Sequence, residues 1–263
     1  MPERIYVSPS DQGRNEYGAG NTVEEAQCEK IAVALVNALQ RCGFESKTDL
    51  LADMYSRVSQ SNIWGASLHV CIHTNAHNGK VGGTRLFCYA LGGEGHKACK
   101  AVMATLAPIT PGTIDAITAR PELCEVRNTT APCVYIEVDF HDVPEIALWI
   151  ISHTTEIAEA IAEGICNYYE KEYIAPRTLE ERVLMLEKIA GKRYHTLGDV
   201  RADADNAEYY LPTLEWLIDM GHLRGKGGAG DGLILDLSEE SVRLLVILHR
   251  AGAFGKGLSG DNR

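Results

Sequence analysis

Basic charge is scarce in this chain. Its 263 residues carry 25 Lys and Arg against 36 Asp and Glu, a net charge of −11 at pH 7. Nucleic-acid binding needs a basic face, so that class is excluded, and simple attraction to anionic polymers or lipids is disfavoured. No apolar run approaches the length of a membrane span. The opening Met-Pro-Glu-Arg-Ile-Tyr-Val lacks the charged-then-apolar pattern of a secretory signal, so the expectation is synthesis in the cytosol. No Cys-x-x-Cys pair occurs, which argues against a cysteine-based zinc knuckle. Most of the 8 cysteines, Cys28, Cys71, Cys88, Cys99, Cys133 and Cys166 among them, lie in apolar periodic runs and read as reduced, buried small hydrophobes. A glycine-rich stretch, Gly225 to Gly232, has no Gly-Lys-Ser/Thr leading into a helix, so it is no phosphate loop.

What is present is an ordinary globular composition, 45% hydrophobic and 23% charged, in a chain long enough for one large domain or a medium and a small one. The stretch Ser67-Leu-His-Val-Cys-Ile-His-Thr-Asn-Ala76 organises it. Alternation places Leu68, Val70 and Ile72 on one face of a strand, and His69, Cys71 and His73 on the other. So apolar a run suits the centre of an α/β sheet, buried on both sides. His73 falls where strand gives way to loop, and ligands of such sheets bind off the carboxyl ends of strands. It reads either as a buried, hydrogen-bonded histidine or as a metal ligand.

The first strand, Ile5-Tyr6-Val7, runs into Ser8-Pro9-Ser10-Asp11-Gln12. Thr22, Glu24 and Glu25 then look like a helix start, and Cys28, Ile31, Ala32, Leu35 and Leu39 give that helix an apolar stripe. Glu25 is read as the carboxylate that points off the core face at the open end of the helix. A strand is expected over 44–48 and a helix over 53–64, in which Arg57 and Asn62 either brace loops or sit on the surface. Another strand is expected at 84–89 and a helix at 96–106. A long polar loop at 108–121, a short strand at 123–127 and one helix over 144–170 complete this half. Glu137 interrupts the β-like run Cys133 to Val138. Buried, it needs either a salt bridge, with Arg127 as the candidate, or a role as a general acid/base.

The order Glu-bearing helix, then Ile72-His73-Thr74-Asn75-Ala76, then Ala131-Pro132-Cys-Val-Tyr-Ile-Glu137-x-x-Phe140 resembles the zinc-dependent N-acetylmuramoyl-L-alanine amidases of autolysins and phage endolysins, over about residues 4–170. The resemblance implies a mixed, mostly parallel sheet flanked by helices, and a Zn²⁺ cofactor. It implies His73 and Glu25 as zinc ligands and Glu137 as the catalytic glutamate. Arg127, Asn75 and Gly83 fall at substrate-lining or structural positions. The chain departs from the family at the first ligand, because its first turn has no histidine. Asp11, Gln12 and His141 are three candidates for that place. The implied reaction is zinc-assisted hydrolysis of the amide between N-acetylmuramic acid and L-alanine in peptidoglycan. Loops at 13–21, 76–83 and 108–121 would form the rims of an open groove.

Residues 171–182 read as a charged linker. The domains are therefore taken as 1–172, catalytic, and 183–263, a small mainly helical domain. Helices are expected at 182–190, 211–220 and 238–250, with a short strand at 234–235. This layout resembles the wall-attachment modules of endolysins; a homodimerisation bundle is the other reading. The expectation is an endolysin of prophage type that stays in the cytosol until a membrane pore releases it to the wall. The rivals are a zinc carboxypeptidase-like hydrolase and a non-catalytic wall-binding protein with a decayed metal site.

Overall fold

The computed structural model describes residues 2–178, 181 and 191–254. The chain divides into two compact units, Met1–Pro176 and Arg177–Arg263. The helix expected at 182–190 lies outside the described residues.

The first unit is built on a six-stranded sheet. Its strands are β1 (Arg4–Pro9), β2 (Glu45–Lys47), β3 (Leu68–Asn75), β4 (Arg85–Cys88), β5 (Ala116–Ala119) and β6 (Cys133–Phe140), in the spatial order β2-β1-β3-β6-β4-β5. β2, β1, β3 and β6 run parallel; β4 is antiparallel to β6 and parallel to β5. This is the mixed, mostly parallel sheet that the sequence implies. The helices are α1 (Glu24–Arg41), α2 (Met54–Trp64), α3 (Glu94–Leu106), α4 (Cys124–Asn128), α5 (Pro144–Ser152) and α6 (Thr154–Tyr168).

Alternation along the strands makes the two sheet faces chemically different. Ile5, Val7, Leu68, Val70, Ile72, Leu86, Val134, Ile136 and Val138 join the main core with Ile31 and Leu35 of α1, Val102 of α3 and Ile161 of α6. The opposite face presents Tyr6, Ser8, His69, Cys71, His73, Cys133, Tyr135 and Glu137. Its cover is thin: the 11-residue α2 and the 5-residue α4. Asn62 ties the two sides of that cover together. Its Nδ2 donates to Asn128 O at 2.9 Å, and its Oδ1 accepts from Thr130 N at 2.7 Å. Arg57, buried, donates from Nε to Asp49 O at 2.9 Å and from Nη1 to Pro9 O. Both residues are therefore braces.

Three local expectations change. The segment 123–127 is not a strand but α4. Leu123 and Val126, three residues apart, pack on Cys71, Cys133 and Tyr135, which a helical turn permits. The loop at 108–121 contains the edge strand β5, whose four residues are too few for a clear alternation signal. The helix expected over 144–170 breaks at His153 (φ −117°, ψ 27°) into α5 and α6.

The second unit carries an antiparallel pair, β7 (Arg193–Thr196) and β8 (Ile234–Ser238), with α7 (Leu197–Arg201), α8 (Ala207–Asp219) and α9 (Glu239–Arg250). Tyr194, Leu197, Val200, Tyr210, Leu214, Leu235, Val242 and Val246 form its separate core. Thr196 and Asp199 make a capping box at α7, and Ser238 caps α9.

Candidate active site

The site is assembled where β1, β3 and β6 end. His73 and Glu137 are register partners on adjacent strands. α1 starts beside them, and the carboxylate that meets the imidazole is Glu24, not Glu25. Glu24 is 1% exposed, and its Oε1 lies 2.9 Å from His73 Nδ1. The reason is helical phase: Glu24, Cys28, Ile31 and Leu35 follow the i, i+4, i+7, i+11 stripe, and Glu25 is rotated roughly 100° away. Glu25 lines an open cleft of about 530 Å³ with Asp11, Gln12, Gly13, Arg14 and Asn15.

Of the three candidates for the missing histidine, Gln12 is the one whose side chain reaches the imidazole. Gln12 Nε2 is 3.4 Å from His73 Nδ1. Asn15 links it to Glu24, since Asn15 Nδ2 donates to Gln12 Oε1 at 2.7 Å and to Glu24 Oε2 at 2.8 Å. Asp11 turns the other way: its Oδ2 accepts from Met54 N at 3.0 Å and caps the start of α2. His141 is buried and engaged elsewhere. Its Nδ1 is 2.8 Å from Thr74 Oγ1, and its ring stacks on Tyr17 with centroids 4.7 Å apart. Burial pushes the His141 imidazole below its ordinary value.

Arg127, one candidate partner for Glu137, is exposed and lines a cavity with Tyr89, Glu94 and Pro132, near the amino end of β6. Asn75 closes β3. Its Oδ1 accepts from Ala76 N at 2.8 Å, and its carbonyl accepts from His141 N at 2.7 Å. Gly83 has φ +144°, and a Cβ there would stand 2.4 Å from Ile114 O, so its role is close backbone approach. Asp139 fastens the two rim loops, accepting from Gly83 N at 2.7 Å and Gly112 N at 2.8 Å.

A further carboxylate, Glu125 on α4, enters from below. Its Oε1 accepts from Ser8 Oγ and lies 3.2 Å from His69 Nε2; its Oε2 lies 3.8 Å from His73 Nε2. The sequence reading missed Glu125 because a strand at 123–127 assigns it no inward direction. It also missed Glu24, Asn15, Ser8 and His69 as site members. For Glu24 and His69 the signal was present: the α1 stripe, and the alternation that puts His69 on the face of His73.

Charge in the site is finely divided. Burial alone would lower the His73 imidazole, but Glu125 and Glu24 on its two sides, with Glu137 nearby, hold it up at about 9. Burial works to raise Glu125, which the bond to His69 and the nearby His73 imidazole instead hold at about 2. Glu24 is likewise kept below its ordinary value against burial, by His73, Asn15 and Ser10. Glu137 has no such support. Its Oε2 is covered and lacks a hydrogen-bond partner among the described residues, and burial pushes its carboxyl up to about 7, against the pull of His73. One carboxylic acid balanced near neutrality beside ionised neighbours is the arrangement that acid/base chemistry uses.

Two donor sets bear on a metal. His69, Cys71 and Glu125 offer ligand atoms within 4.8 Å of one another. All three are buried, and burial raises the Cys71 thiol well above its ordinary value. This set has no open side. Gln12, Glu24 and His73 converge at the strand ends beside Glu137. Glu24 Oε1 lies 2.9 Å from His73 Nδ1, near the roughly 3.3 Å between ligand atoms on a tetrahedral zinc; Gln12 meets the same nitrogen through its amide Nε2, so it would bind a metal only with the amide turned to present Oε1, which here accepts from Asn15. A carboxylate, an imidazole and an amide oxygen are all oxygen or nitrogen donors, with the amide the weakest. The second set therefore fits a catalytic zinc, which needs an open position for substrate.

A family model described as N-acetylmuramoyl-L-alanine amidase matches residues 7–167, more than half of the chain. No curated protein matches. Among solved structures, the chain is similar to the N-acetylmuramoyl-L-alanine amidase AmiC2 of Nostoc punctiforme, at 20% identity and a TM-score of 0.56, covering 64% of this chain and 97% of that one. The catalytic domain of CwlV, an N-acetylmuramoyl-L-alanine amidase from Bacillus (Paenibacillus) polymyxa var. colistinus, gives 19%, 0.57, 65% and 99%. The catalytic domain of the CD27L endolysin, which targets Clostridia difficile, gives 18%, 0.52, 63% and 97%. These likenesses establish the fold of the first unit.

Proposed function

The chain belongs to the N-acetylmuramoyl-L-alanine amidase family, and from that premise we propose that it cleaves the amide between the lactyl group of N-acetylmuramic acid and L-alanine in peptidoglycan, with a zinc ion held by Glu24, His73 and Gln12. Family membership carries the coarser activity, hydrolysis of peptidoglycan amides. The observation that carries the finer reading is Glu137: an unpartnered carboxyl balanced at about 7, in register with His73.

Zinc in that place supplies Lewis acidity to the scissile carbonyl and makes water a better nucleophile at neutral pH. Glu137 does the proton work. As a carboxylate it takes a proton from the attacking water as the oxygen bonds to the lactyl carbonyl carbon. It then returns that proton to the alanine nitrogen as the carbon–nitrogen bond breaks, leaving a lactyl carboxylate and a free amine. Asn15 holds Gln12 and Glu24 in place with one amide group. Tyr135 stacks on the His73 ring at 4.4 Å and limits its rotation. Asp139 ties the loops at Gly83 and Gly112 to each other through one carboxylate.

We assign the protein an endolysin role, acting on the wall after release from the cytosol, with the second unit as a wall-attachment module. The separate core of that unit is what supports giving it a task of its own.

The test is product analysis on purified peptidoglycan. New amino-terminal L-alanine and glycan-linked lactyl carboxylate, together with one zinc per chain, are expected from the wild type. Both products should be absent in Glu137→Ala, which keeps its zinc, and in His73→Ala, which loses it. A metal-free, inactive wild type that still sediments with cell walls would replace this reading with a non-catalytic wall-binding protein. Release of free D-amino acids would replace it with a carboxypeptidase.

A further inference from the structure

The imidazole of His73 lies between two buried carboxylates, one opposite each ring nitrogen. Nδ1 faces Glu24 at 2.9 Å, on the side that also holds Gln12. Nε2 is covered, has no hydrogen-bond partner among the described residues, and faces Glu125 Oε2 at 3.8 Å. Glu125 is itself held firmly. Ser8 Oγ donates to its Oε1, and His69 Nε2 lies 3.2 Å from the same oxygen. The other nitrogen of His69 is 3.0 Å from Ser61 Oγ on α2, and Tyr6 stacks on the His69 ring at 5.6 Å. All of these groups except Gln12, which is exposed, are buried.

The proton positions follow from the chemistry of the partners. An ionised carboxylate only accepts. Ser8 therefore points its hydroxyl hydrogen at Glu125, and His69 carries hydrogen on Nε2. His69 Nδ1, left with a lone pair, accepts from Ser61. The free acceptor capacity of Glu125 is on Oε2, aimed at the unpartnered His73 Nε2. Without a metal, Nδ1 also carries hydrogen, toward the carboxylate of Glu24 at 2.9 Å; a cation taken up by Glu24 displaces that hydrogen, and the one on Nε2, facing Glu125, is the one that stays.

We propose that Glu125 is a positioning residue: with Ser8, His69 and Ser61 behind it, it holds the hydrogen of His73 on Nε2 and so presents Nδ1 as the metal-binding nitrogen. A metal-ligating histidine commonly gives its second N–H to a carboxylate, which fixes tautomer and ring orientation. In this chain that support is a buried relay from α2 through the sheet face. It matters more than usual because the amide of Gln12 is a weak partner. The inference rests on the zinc reading above for its consequence, and on the contacts of His73 for its geometry.

The closing experiment reads the two separately. Long-range ¹H–¹⁵N spectra of ¹⁵N-histidine-labelled full-length protein loaded with zinc report which His73 nitrogen bears hydrogen and which is bound to metal. Hydrogen on Nε2 with Nδ1 on the metal is the expected result; hydrogen on Nδ1 with Nε2 on the metal, or no uptake of zinc, overturns the proposal, whether or not the protein hydrolyses peptidoglycan. In parallel, Glu125→Gln should weaken zinc roughly 10- to 100-fold by chelator competition, with its thermal midpoint compared alongside. Cys133→Ala, which loosens the apolar packing under α4 without a polar contact to Glu125 or His73, should change zinc affinity less than about threefold. Equal losses in the two variants would show a general packing effect and also overturn it. A wild type with the expected tautomer and tight zinc, but without muramoyl amide cleavage, would sink the proposed function and leave the positioning role standing.

Discussion

His73 and Glu137 stand directly opposite each other on adjacent parallel strands, His73 held between Glu24 and Glu125 and Glu137 without a partner for its Oε2. That pairing separates the residue that binds from the residue that moves protons. It also sets the outcomes expected on perturbing each.

The two glutamates that open α1 should behave differently. Glu24→Gln removes the buried carboxylate on His73, and zinc retention and wall hydrolysis should both fall by about 100-fold or more. Glu25→Gln, on the open cleft, should stay within about twofold of wild type. Zinc content after dialysis and the initial rate of amine release decide this; equal losses would return Glu25 to the site.

Glu137 must be ionised to accept a proton. With its carboxyl pushed up to about 7 by burial, kcat/KM should rise with pH on an acid limb whose midpoint is at or below about 7, since a bound cation favours the carboxylate. In Glu137→Gln that limb should disappear and the rate should drop by about 100- to 10,000-fold, with zinc retained.

Metal-free protein should lose stability as pH rises. Glu137 keeps a proton in the folded chain that the unfolded chain has given up, so stability falls between about 4.5 and about 7. The His73 contribution is complete below about 6.5 and is lost as pH rises through about 9. Glu125 acts in the opposite sense: its contribution is present above about 4.5 and is lost as pH falls through about 2. Denaturant midpoints across this range should peak in mild acid for wild type, and the decline above about pH 6.5 should flatten in His73→Asn. A wild-type midpoint that climbs from pH 6 to 9 would contradict the assigned charges.

Gln12→His places an imidazole where the amide now meets His73, and should tighten zinc by about tenfold or more by chelator competition. Asp11→Ala should leave zinc unchanged and cost about 0.5–2 kcal/mol of stability, because it removes an acceptor at the start of α2. A loss of zinc in Asp11→Ala would mark it, and not Gln12, as the third ligand.

Much of this arrangement was legible in the residues. The alternation of Ser67 to Ala76 showed a central strand with His73 at its end, and the order of motifs showed the sheet that surrounds it. Glu137 announced itself as a charge inside an apolar run. What failed was angular phase and local cover. Placing the site at Glu25 ignored that 24, 28, 31 and 35 form the tighter stripe. Glu125 was invisible because four or five residues carry too little periodicity to separate a strand from a helical turn, and it is the packing of Leu123 and Val126 beneath Tyr135 that makes the turn. Asp11, Gln12 and His141 could not be ranked from sequence, since each direction depends on a partner distant in the chain: Met54, His73 and Thr74.

The unequal clothing of the sheet has a consequence for how such a protein can diverge. Residues that secure the fold point toward α1, α3 and α6, and residues that define the chemistry point the other way, under two short helices. A change on the chemical side is therefore not transmitted to the core. Side chains in the first turn or on α4 can be exchanged while the scaffold keeps its shape. The fold tolerates experimentation because heredity of structure and heredity of reactivity are written on opposite sides of the same strands.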